Sequence, residues 1–429
     1  MSKFKWLATG TLVALIATGC ASSRSDQLAD DPSPQPAESL VEVPSEPQDE
    51  DSVAADTSTT SEPAVQDPAS STASTSAQCQ GPLAAGRVDV RSDGNRFSDA
   101  SIDLATATAT DVELPGTIEW VVSAPAGGWL LTTTDGIAHQ VTNAGEVITL
   151  GPVENAPPVV RADGTIGVAL DGHDLFDAPL IDGRVVQSDS IVAVLSTPTD
   201  RYAHGVLGDA IEAAAIEWVN VCDDTSGRIE ISEPDVIEGV APILADIDDD
   251  GATEVLVTLS NSSGGARLVA YELDGSLLAE SAPIGQGNRW RNQLAVAAFG
   301  PAGEIEIVDV QTPHIGGILQ SFQLVEVDGS ASLERVAASG GRFTSHPIGT
   351  RNLDMGIALD ANLDGSLDVL IATFERDRLI AMSRSTGDGG WEQVAEVALP
   401  GILTSNVAVS DSSEPSVAVG VGTLFRTWK

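Results

Sequence analysis

Two stretches of the sequence gather acidic side chains around a single glycine and then become apolar. In ALDANLDGSLDVLIAT, residues 358–373, side-chain oxygens occupy loop positions 1, 3, 5 and 9, as Asp360, Asn362, Asp364 and Asp368. Gly365 at position 6 allows a sharp turn, and the backbone carbonyl of Ser366 at position 7 can face inward. This pattern is typical of a calcium-binding loop, because hard oxygen ligands suit a hard cation.

A second stretch, LADIDDDGATEVLVTL, repeats the pattern nearer the N-terminus. Its expected ligands, around Gly251, are Asp246, Asp248, Asp250, the carbonyl of Ala252, and Glu254. An EF-hand would have flanking helices and a glutamate at position 12, whereas Val257 and Ile371 occupy that position here, already within predicted strands. Without a cation the clustered carboxylates would repel one another. We therefore expect calcium as a structural cofactor, and acidic solvated turns are the alternative.

The segments around these loops are typical of β-strands. From residue 79 onward the chain has many short runs rich in Val and Ile, such as EVLVTL, RLVAYEL and DVLIAT, bounded by Gly, Asp, Asn, Ser and Pro. The one run that suggests a helix, DRYAHGVLGDAIEAAAIEW, fits a strand equally well in its last part. The sequence therefore predicts an all-β fold.

Similar turns return along the chain at regular intervals. IEWV begins at Ile118 and Ile216, and the acidic loops begin at Asp246 and Asp360, so both intervals are about twice 50 residues. Copies without the ligands lie at residues 294–310 and 406–422. A unit of about 50 residues with four strands predicts a β-propeller of about seven blades over residues 79–429. A pair of β-sandwiches is the alternative.

The acidic motif followed by EVLVTL or DVLIAT resembles the FG-GAP or VCBS repeats of integrin-like β-propellers. The resemblance implies a seven-bladed propeller in which a loop between adjacent strands of a blade binds calcium structurally. Because the motif is complete in only two repeats, the resemblance also implies fewer metal sites than blades. It implies no particular function.

Residues 1–20 have the features of a bacterial lipoprotein signal peptide. Lys3 and Lys5 precede an apolar run that is well short of the roughly 20 residues needed to span a membrane. The run ends in ATGC, which resembles a lipobox with Cys20 as the lipidated residue; an ordinary cleaved signal is the alternative. Because Ala21 rather than Asp follows Cys20, we expect an outer-membrane lipoprotein of the cell envelope, periplasmic or surface-exposed.

Residues 21–78 consist largely of Ser, Thr, Pro, Ala and acidic residues, which predicts a disordered tether. The whole chain has 63 acidic and 21 basic residues and a formal net charge of -42. This balance argues against nucleic-acid binding and against adsorption to anionic lipid.

The chain has 3 cysteines. If Cys20 carries lipid, Cys79 and Cys222 remain, and two cysteines in an exported protein tend to form a disulfide. Two separate buried thiols are the alternative.

Several of the few basic residues fall between predicted strands at about one-blade intervals. They are His204, Arg289, Arg291, His314, His346 and Arg351. Equivalent positions of successive blades converge at one face of a propeller, where these side chains could bind a carboxylate, a sulfate or an acidic sugar. The alternative is that they pair with the abundant acidic residues at the blade edges.

No catalytic set stands out, because the sequence contains neither a G-x-S-x-G nor an H-E-x-x-H motif. The function that we expect is a lipid-anchored propeller with structural calcium that binds a protein or a glycan and catalyses no reaction. The alternatives are a scaffold in outer-membrane protein assembly and an enzyme that acts on acidic polysaccharide at the Arg/His face.

Overall fold

The computed structural model of the chain describes residues 93–124, 127–153, 158–160, 166–168, 173–385, 389–410 and 412–429. The predicted signal peptide, the predicted tether, Cys20 and Cys79 lie outside these ranges. Within them the chain forms 29 strands and two 3-10 helices, at His173–Leu175 and Pro313–Ile315, so the predicted all-β class is confirmed. No helix in these ranges has the length and apolarity that crossing a membrane requires.

Most strands form antiparallel meanders of four, each called a blade and named after its first strand. The described part begins with β1 (Phe97–Ser101) and β2 (Ala109–Glu113), which pair with strands that come much later. The β3 blade contains β3 (Ile118–Ser123), β4 (Trp129–Thr133), β5 (Ile137–Val141) and β6 (Val147–Pro152). β7 (Pro158–Val160) and β8 (Ile166–Val168) pair with each other. The β9 blade contains β9 (Val186–Ser188), β10 (Ile191–Thr199), β11 (Glu212–Asn220) and β12 (Ser226–Glu230).

The next blades follow the same order. β13 (Val236–Ile237) pairs with both β11 and a strand of the β14 blade, and so joins the two into one sheet. The β14 blade contains β14 (Ile243–Ala245), β15 (Glu254–Asn261), β16 (Gly265–Tyr271) and β17 (Leu277–Glu280). The β18 blade contains β18 (Arg291–Ala297), β19 (Glu306–Gln311), β20 (Ile318–Val327) and β21 (Ser330–Ala338). After β22 (Phe343–Thr344), the β23 blade contains β23 (Gly356–Asp360), β24 (Asp368–Thr373), β25 (Arg378–Arg384) and β26 (Trp391–Ala398).

The last blade combines strands from the two ends of the described chain. β27 (Ala408–Val409), β28 (Val417–Val421) and β29 (Leu424–Trp428) supply three strands, and β2 pairs with β29 as the fourth. We call this the closing blade. A series of four-stranded meanders, the last of which takes a strand from the beginning of the chain, is the connectivity of a closed β-propeller.

The segment before β2 crosses the first strands of three blades. The Asp93 carbonyl accepts a hydrogen bond from Leu244 N–H at 2.9 Å, and Arg96 N–H donates to the Leu294 carbonyl at 3.0 Å. β1 then pairs in parallel with β23. The segment therefore links the β14, β18 and β23 blades before it reaches the closing blade.

The core lies between neighbouring blades. Leu256 of β15 packs in one apolar cluster with Ile307 and Phe322 of the β18 blade, and Ile118 of β3 packs with Phe425 of the closing blade. Because blades cover both faces of the middle strands, these strands are largely apolar, and β24 is buried along its whole length.

The two copies of IEWV do not mark equivalent positions. Ile118 lies on the first strand of the β3 blade, whereas Ile216 lies on the third strand of the β9 blade. A mixture of apolar and polar residues of this kind fits any strand. The match between the two copies therefore indicates two β-strands but not equivalent positions in two blades. The two acidic loops, in contrast, both connect a first strand to a second.

Asn406 links the closing blade to the β3 blade, and its removal should be costly. Its Oδ1 accepts a hydrogen bond from Val121 N–H and its Nδ2 donates to the Val121 carbonyl, both at 2.8 Å, in a fully buried position. Asn406→Ala leaves these buried backbone groups unsatisfied, so we expect the free energy of unfolding to fall by about 1–3 kcal/mol. Urea denaturation measures this effect. Asn143→Ala, at an exposed position, should change it by less than about 0.5 kcal/mol, and equal effects would contradict the proposed role of Asn406.

Candidate functional site

The loops of the blades lie on two opposite faces. Because neighbouring strands are antiparallel, the connections from first to second strands share one face, called the acidic-loop face. The segments that lead into first strands and the connections from second to third strands share the other face. This second face carries His204, His314 and His346 and is called the histidine face.

The two acidic loops have the same backbone shape. The 246 loop (residues 246–254) connects β14 to β15, and the 360 loop (residues 360–368) connects β23 to β24. Position 4 is left-handed in both, with φ of 64° at Asp249 and 62° at Leu363. Position 6 is also left-handed, with φ of 87° at Gly251 and 85° at Gly365, which explains the requirement for glycine.

The first and ninth residues of each loop hold the turn through equivalent hydrogen bonds. Asp246 Oδ2 accepts from Gly251 N–H at 3.0 Å, and Asp360 Oδ2 accepts from Gly365 N–H at 3.2 Å. Glu254 accepts from Ile247 N–H at 2.7 Å, and Asp368 accepts from Ala361 N–H at 2.9 Å. These carboxylates are thereby oriented towards the interior of the turn.

The donor set of the 246 loop fits a hard divalent cation. One carboxylate oxygen each from Asp246, Asp248 and Glu254 lie within 4.8 Å of one another. Burial raises the pKa of Glu254 to about 7, and the charges of Asp248 and Asp246 contribute to the same shift. A calcium ion would neutralise this group and replace the lost hydration of the buried carboxylate.

The 360 loop offers a weaker version of the same set. Asn362 stands at position 3, and its Nδ2 donates a hydrogen bond to Asp364 Oδ2 at 2.9 Å. Asp368 is fully buried, and burial raises its pKa to about 6, with Asp364 and Asp360 adding to the rise. The ligands would again be carboxylate, amide and the Ser366 carbonyl oxygens, all of which suit calcium.

The copies without ligands occupy the equivalent places. The sequence predicted a strand–turn–strand at residues 294–310 and at residues 406–422, and these are β18–β19 and β27–β28. In the β18 blade, Gly303 N–H donates to the Gly300 carbonyl at 2.8 Å and closes a short turn without a set of acidic ligands.

Two of the residues predicted at the Arg/His face, His314 and His346, meet at Trp290. The Nε2 atoms of His314 and His346 are 2.8 Å apart. The Trp290 ring stacks on His314 with 5.7 Å between ring centroids and meets His346 edge-on at 4.9 Å. His204 binds the carboxylate of Glu238, with 2.5 Å between Nδ1 and Oε1.

Burial keeps this cluster in unusual protonation states. Desolvation lowers the pKa of His314 to about 4, and His204 contributes to the shift. Desolvation, followed by the influence of His314, holds the pKa of His346 well below its usual range. Burial raises the pKa of Glu212 to about 9, and the charge of Glu238 contributes. At neutral pH the two imidazoles and the Glu212 carboxyl are therefore uncharged.

The predicted arginines do not form a free cationic ring. Arg351 reaches the histidine face but forms ion pairs with Asp182 and Asp209, both at 2.6 Å. Arg291 is buried in the β18 blade, where its Nε lies 3.4 Å from Asp309 and its guanidinium lies over the Phe322 ring.

The side chain of Arg289 contacts Gln286, with 3.3 Å between Nε and Oε1. Arg289 precedes Trp290 in the segment that leads into β18. The structure thus brings together His314 and His346, pairs His204 with Glu238 on the same face, and leaves Arg291 inside a blade.

A small cavity lies beside the cluster, among the first strands. Its volume is about 60 Å³, and Arg96, Arg184, Glu238, Gln293 and Asp354 are among the residues that line it. Arg184 and Asp354 form a buried ion pair across it at 2.6 Å. Its lining includes two arginines and two acidic residues, whose formal charges balance, among mostly apolar surface.

Sequence reasoning did not identify Glu212, Glu238 and Trp290 as members of this cluster. Glu212 and Glu238 are single acidic residues within the apolar runs AIEAAA and VIEGVA, and both are only 1% exposed. A lone carboxylate in a buried strand is the signal that could have revealed them. Trp290 lies between Arg289 and Arg291, both of which the sequence predicted at this face.

Cys222 follows β11 and takes part in a disulfide bond. Cys79, its expected partner, lies outside the described residues, so this pairing stays a prediction.

Comparison with known proteins adds little to this description. No protein-family model matches the chain, and no curated protein matches it. Among solved structures it is similar to that of U3-55K, with 12% identity and a TM-score of 0.30, over 77% of this chain and 99% of that one. It is also similar to the crystal structure of the RRP9 WD40 repeats, with 12% identity and a TM-score of 0.31, over 77% of this chain and 98% of that one. TM-scores this low do not establish a shared fold. The propeller description rests on the strand pairing of this chain.

Proposed function

We propose that the chain is a seven-bladed β-propeller with structural calcium that binds a protein partner through its histidine face. The β3, β9, β14, β18, β23 and closing blades account for six units. β7 and β8, between the β3 and β9 blades, supply two strands of a seventh. The two loops with the calcium pattern, in equivalent places of the β14 and β23 blades, support repeats of the FG-GAP or VCBS type.

The proposal also includes a place for the protein in the cell. Lipidation of Cys20 would anchor the chain at the outer membrane, and the acidic tether of residues 21–78 would hold the propeller away from the lipid surface. The net charge of -42 supports a binding partner other than nucleic acid or anionic lipid.

The distribution of exposed isoleucines is the observation that carries the proposed binding role. Among the described residues, five isoleucines that are at least 38% exposed lie on loops of the histidine face: Ile181, Ile211, Ile315, Ile348 and Ile402. Each belongs to a different connection. Apolar aliphatic side chains at the rim of a polar centre favour a protein partner, since exposed apolar surface rimmed by polar residues marks protein interaction sites.

This role predicts that the rim isoleucines contribute to binding. We expect Ile181→Ser together with Ile348→Ser to weaken association with the cellular partner by at least about tenfold, because the two variants remove apolar contacts from the binding surface. The measurement is quantitative crosslinking in cells followed by titration of the partner identified. A matched control is Leu277→Ser with Val327→Ser, which removes exposed apolar side chains outside the histidine face. Equal behaviour of the two variants would overturn the proposed binding surface.

An enzyme that acts on acidic polysaccharide is a second candidate. The Glu212 carboxyl, whose pKa burial and the charge of Glu238 raise, and the His204–Glu238 pair would supply a candidate acid and a candidate base. Release of new sugar ends from acidic polysaccharide, abolished by Glu238→Gln, would favour this candidate over binding alone.

A further inference from the structure

The small cavity among the first strands has a size that suits a small ligand. It is lined by residues 94–96 and by residues of the β9, β14, β18 and β23 blades or of the segments that lead into them, and its volume is about 60 Å³. A water molecule needs about 10–15 Å³ of such volume. The cavity therefore has room for roughly four or five non-hydrogen atoms, which is too little for a sugar ring.

Glu238 lines this cavity with a carboxylate that is only half satisfied. The residue is 1% exposed, and its Oε1 lies 2.5 Å from Nδ1 of His204. Its Oε2 is buried and has no hydrogen-bond partner among the described residues. A carboxylate oxygen can only accept hydrogen bonds, and a buried acceptor without a donor is unfavourable. This oxygen therefore calls for a donor from a molecule inside the cavity.

Other polar groups of the lining are already engaged with one another. Arg184 Nη1 donates to Asp354 Oδ2 at 2.6 Å, and the Thr258 hydroxyl donates to Gln293 Oε1 at 2.9 Å. Gln293 Nε2 donates to the Ala241 carbonyl at 3.2 Å. The rest of the lining is largely aliphatic. A ligand thus meets an unsatisfied carboxylate oxygen and apolar walls.

The surroundings of Glu238 favour a cation. Burial and the charges of three neighbouring carboxylates raise the pKa of Glu212, and these neighbours are Glu238, Asp182 and Asp209. Arg351 opposes the shift, but it already forms ion pairs with Asp182 and Asp209, both at 2.6 Å. A positive ligand therefore gains from an acidic surplus that the protein itself does not neutralise at this place.

We propose that the cavity binds a primary ammonium group at the end of a short carbon chain. The ammonium donates an N–H to Glu238 Oε2, and the carbon chain packs against the aliphatic lining, which includes Val185, Val240 and Leu353. A free alkylamine and a lysine side chain both carry this group. The site is additional to the proposed protein-binding role, which rests on the rim isoleucines.

Other cations fit this cavity less well. Calcium takes about 6–8 oxygen ligands, and one unsatisfied carboxylate oxygen supplies too few of them. A quaternary ammonium has no N–H to donate and is recognised by aromatic cages. No aromatic ring is among the lining residues that the structure describes. A guanidinium carries five N–H donors, so most of them would lack acceptors here.

Titration of the full chain with n-propylammonium chloride at pH 7 tests the site. The dissociation constant is measured by saturation-transfer NMR, in excess calcium so that the acidic loops are occupied. We expect tetramethylammonium, which has the same charge but no N–H, to bind at least about tenfold more weakly. Glu238→Gln should weaken n-propylammonium binding by about 10–100-fold, the effect of losing a hydrogen bond to a charged group. Glu326→Gln, at an exposed position of β20, should have no effect.

A second probe distinguishes the two sources of the ammonium group. If Nα-acetyl-lysine amide binds as tightly as n-propylammonium, the ligand is a lysine side chain of another protein. If it binds much more weakly, the ligand is a free amine. Ile181→Ser with Ile348→Ser should keep n-propylammonium binding, so the ammonium site and the proposed protein-binding surface fail or succeed separately.

Two outcomes would overturn the site. Equal binding of n-propylammonium and tetramethylammonium would show only a general attraction of cations to an acidic chain. No binding of n-propylammonium would leave water as the donor to Glu238 Oε2. If Glu238→Gln does not fold, Gly239→Val replaces it, because Gly239 lines the cavity and a Cβ there meets no atom within 4 Å. Unchanged n-propylammonium binding in this variant would also count against the site.

Discussion

Calcium is expected to raise the melting temperature of the chain by on the order of 10 °C relative to chelator. An ion that binds only the folded state at 100 times its dissociation constant adds about 2.7 kcal/mol per site, and the chain has two candidate sites. The physical reason is the crowding of carboxylates in each turn. In the 246 loop, three carboxylate oxygens lie within 4.8 Å of one another, which is unfavourable unless a cation lies among them.

A charge-neutral replacement separates the metal from the turn itself. Asp250 Oδ1 accepts a hydrogen bond from Ala252 N–H at 2.7 Å, and Asp364 Oδ1 accepts one from Ser366 N–H at 2.8 Å. Asn at both positions can keep these bonds while removing two ligand charges. We expect the double variant to lose most of the calcium-dependent shift in scanning calorimetry. Glu304→Ala, in the equivalent connection of the β18 blade, should keep the full shift. If the double variant responds like the unmodified chain, the loops are solvated turns.

Glu212→Gln is expected to stabilise the chain, increasingly as the pH rises. The folded state holds the pKa of Glu212 at about 9, against 4.5 for an ordinary glutamate. Burial is the main cause. The charges that act on Glu212 are Glu238, Asp182 and Asp209, which raise the pKa, and Arg351, which lowers it.

The stabilisation increases with pH because the folded state holds a proton on Glu212 that the unfolded state releases. The folded state keeps the proton on Glu212 between pH 4.5 and about 9, whereas the unfolded state releases it, so this group costs stability progressively as the pH rises through that window. Gln removes the cost and retains the shape. We expect a gain on the order of 3 kcal/mol at pH 8 and almost none at pH 4.

Urea denaturation at both pH values measures this difference, with Glu326→Gln, at an exposed position of β20, as the control. A gain that is independent of pH would show that Glu212 is ionised in the folded protein.

The features that depend on near neighbours in sequence were predictable. The strands EVLVTL and DVLIAT follow from short runs of Val, Ile and Leu, and they are β15 and β24. The two acidic turns were also recognisable, because all of their candidate ligands lie within nine residues and a glycine must stand at the left-handed position. Local sterics and local charge decide both.

The blade repeat could be predicted only in part from the sequence. The acidic loops and their copies without ligands occupy equivalent connections, whereas the two copies of IEWV fall on a first and a third strand. An acidic turn has one geometry and therefore marks one place in a blade. A mixture of apolar and polar residues fits many places, because every strand alternates its side chains between two faces.

The composition of the histidine face was decided by tertiary structure. The sequence placed Arg291 and His314 in the same candidate ring, but Arg291 lies on β18 and points into the blade towards Asp309, whereas His314 lies in a loop and meets His346. A shift of one residue along a strand reverses the direction of a side chain, and composition does not report that shift.

By itself the sequence determined the all-β class, the strands and the two acidic turns, since these depend on residues within reach of one another along the chain. Only the tertiary structure decided that β2 completes the blade of β29 and that Trp290 joins Glu238 to the ring pair of His314 and His346. These contacts join residues that are far apart in sequence. They arise when successive blades pack side by side, so the register and angle of each blade fix them.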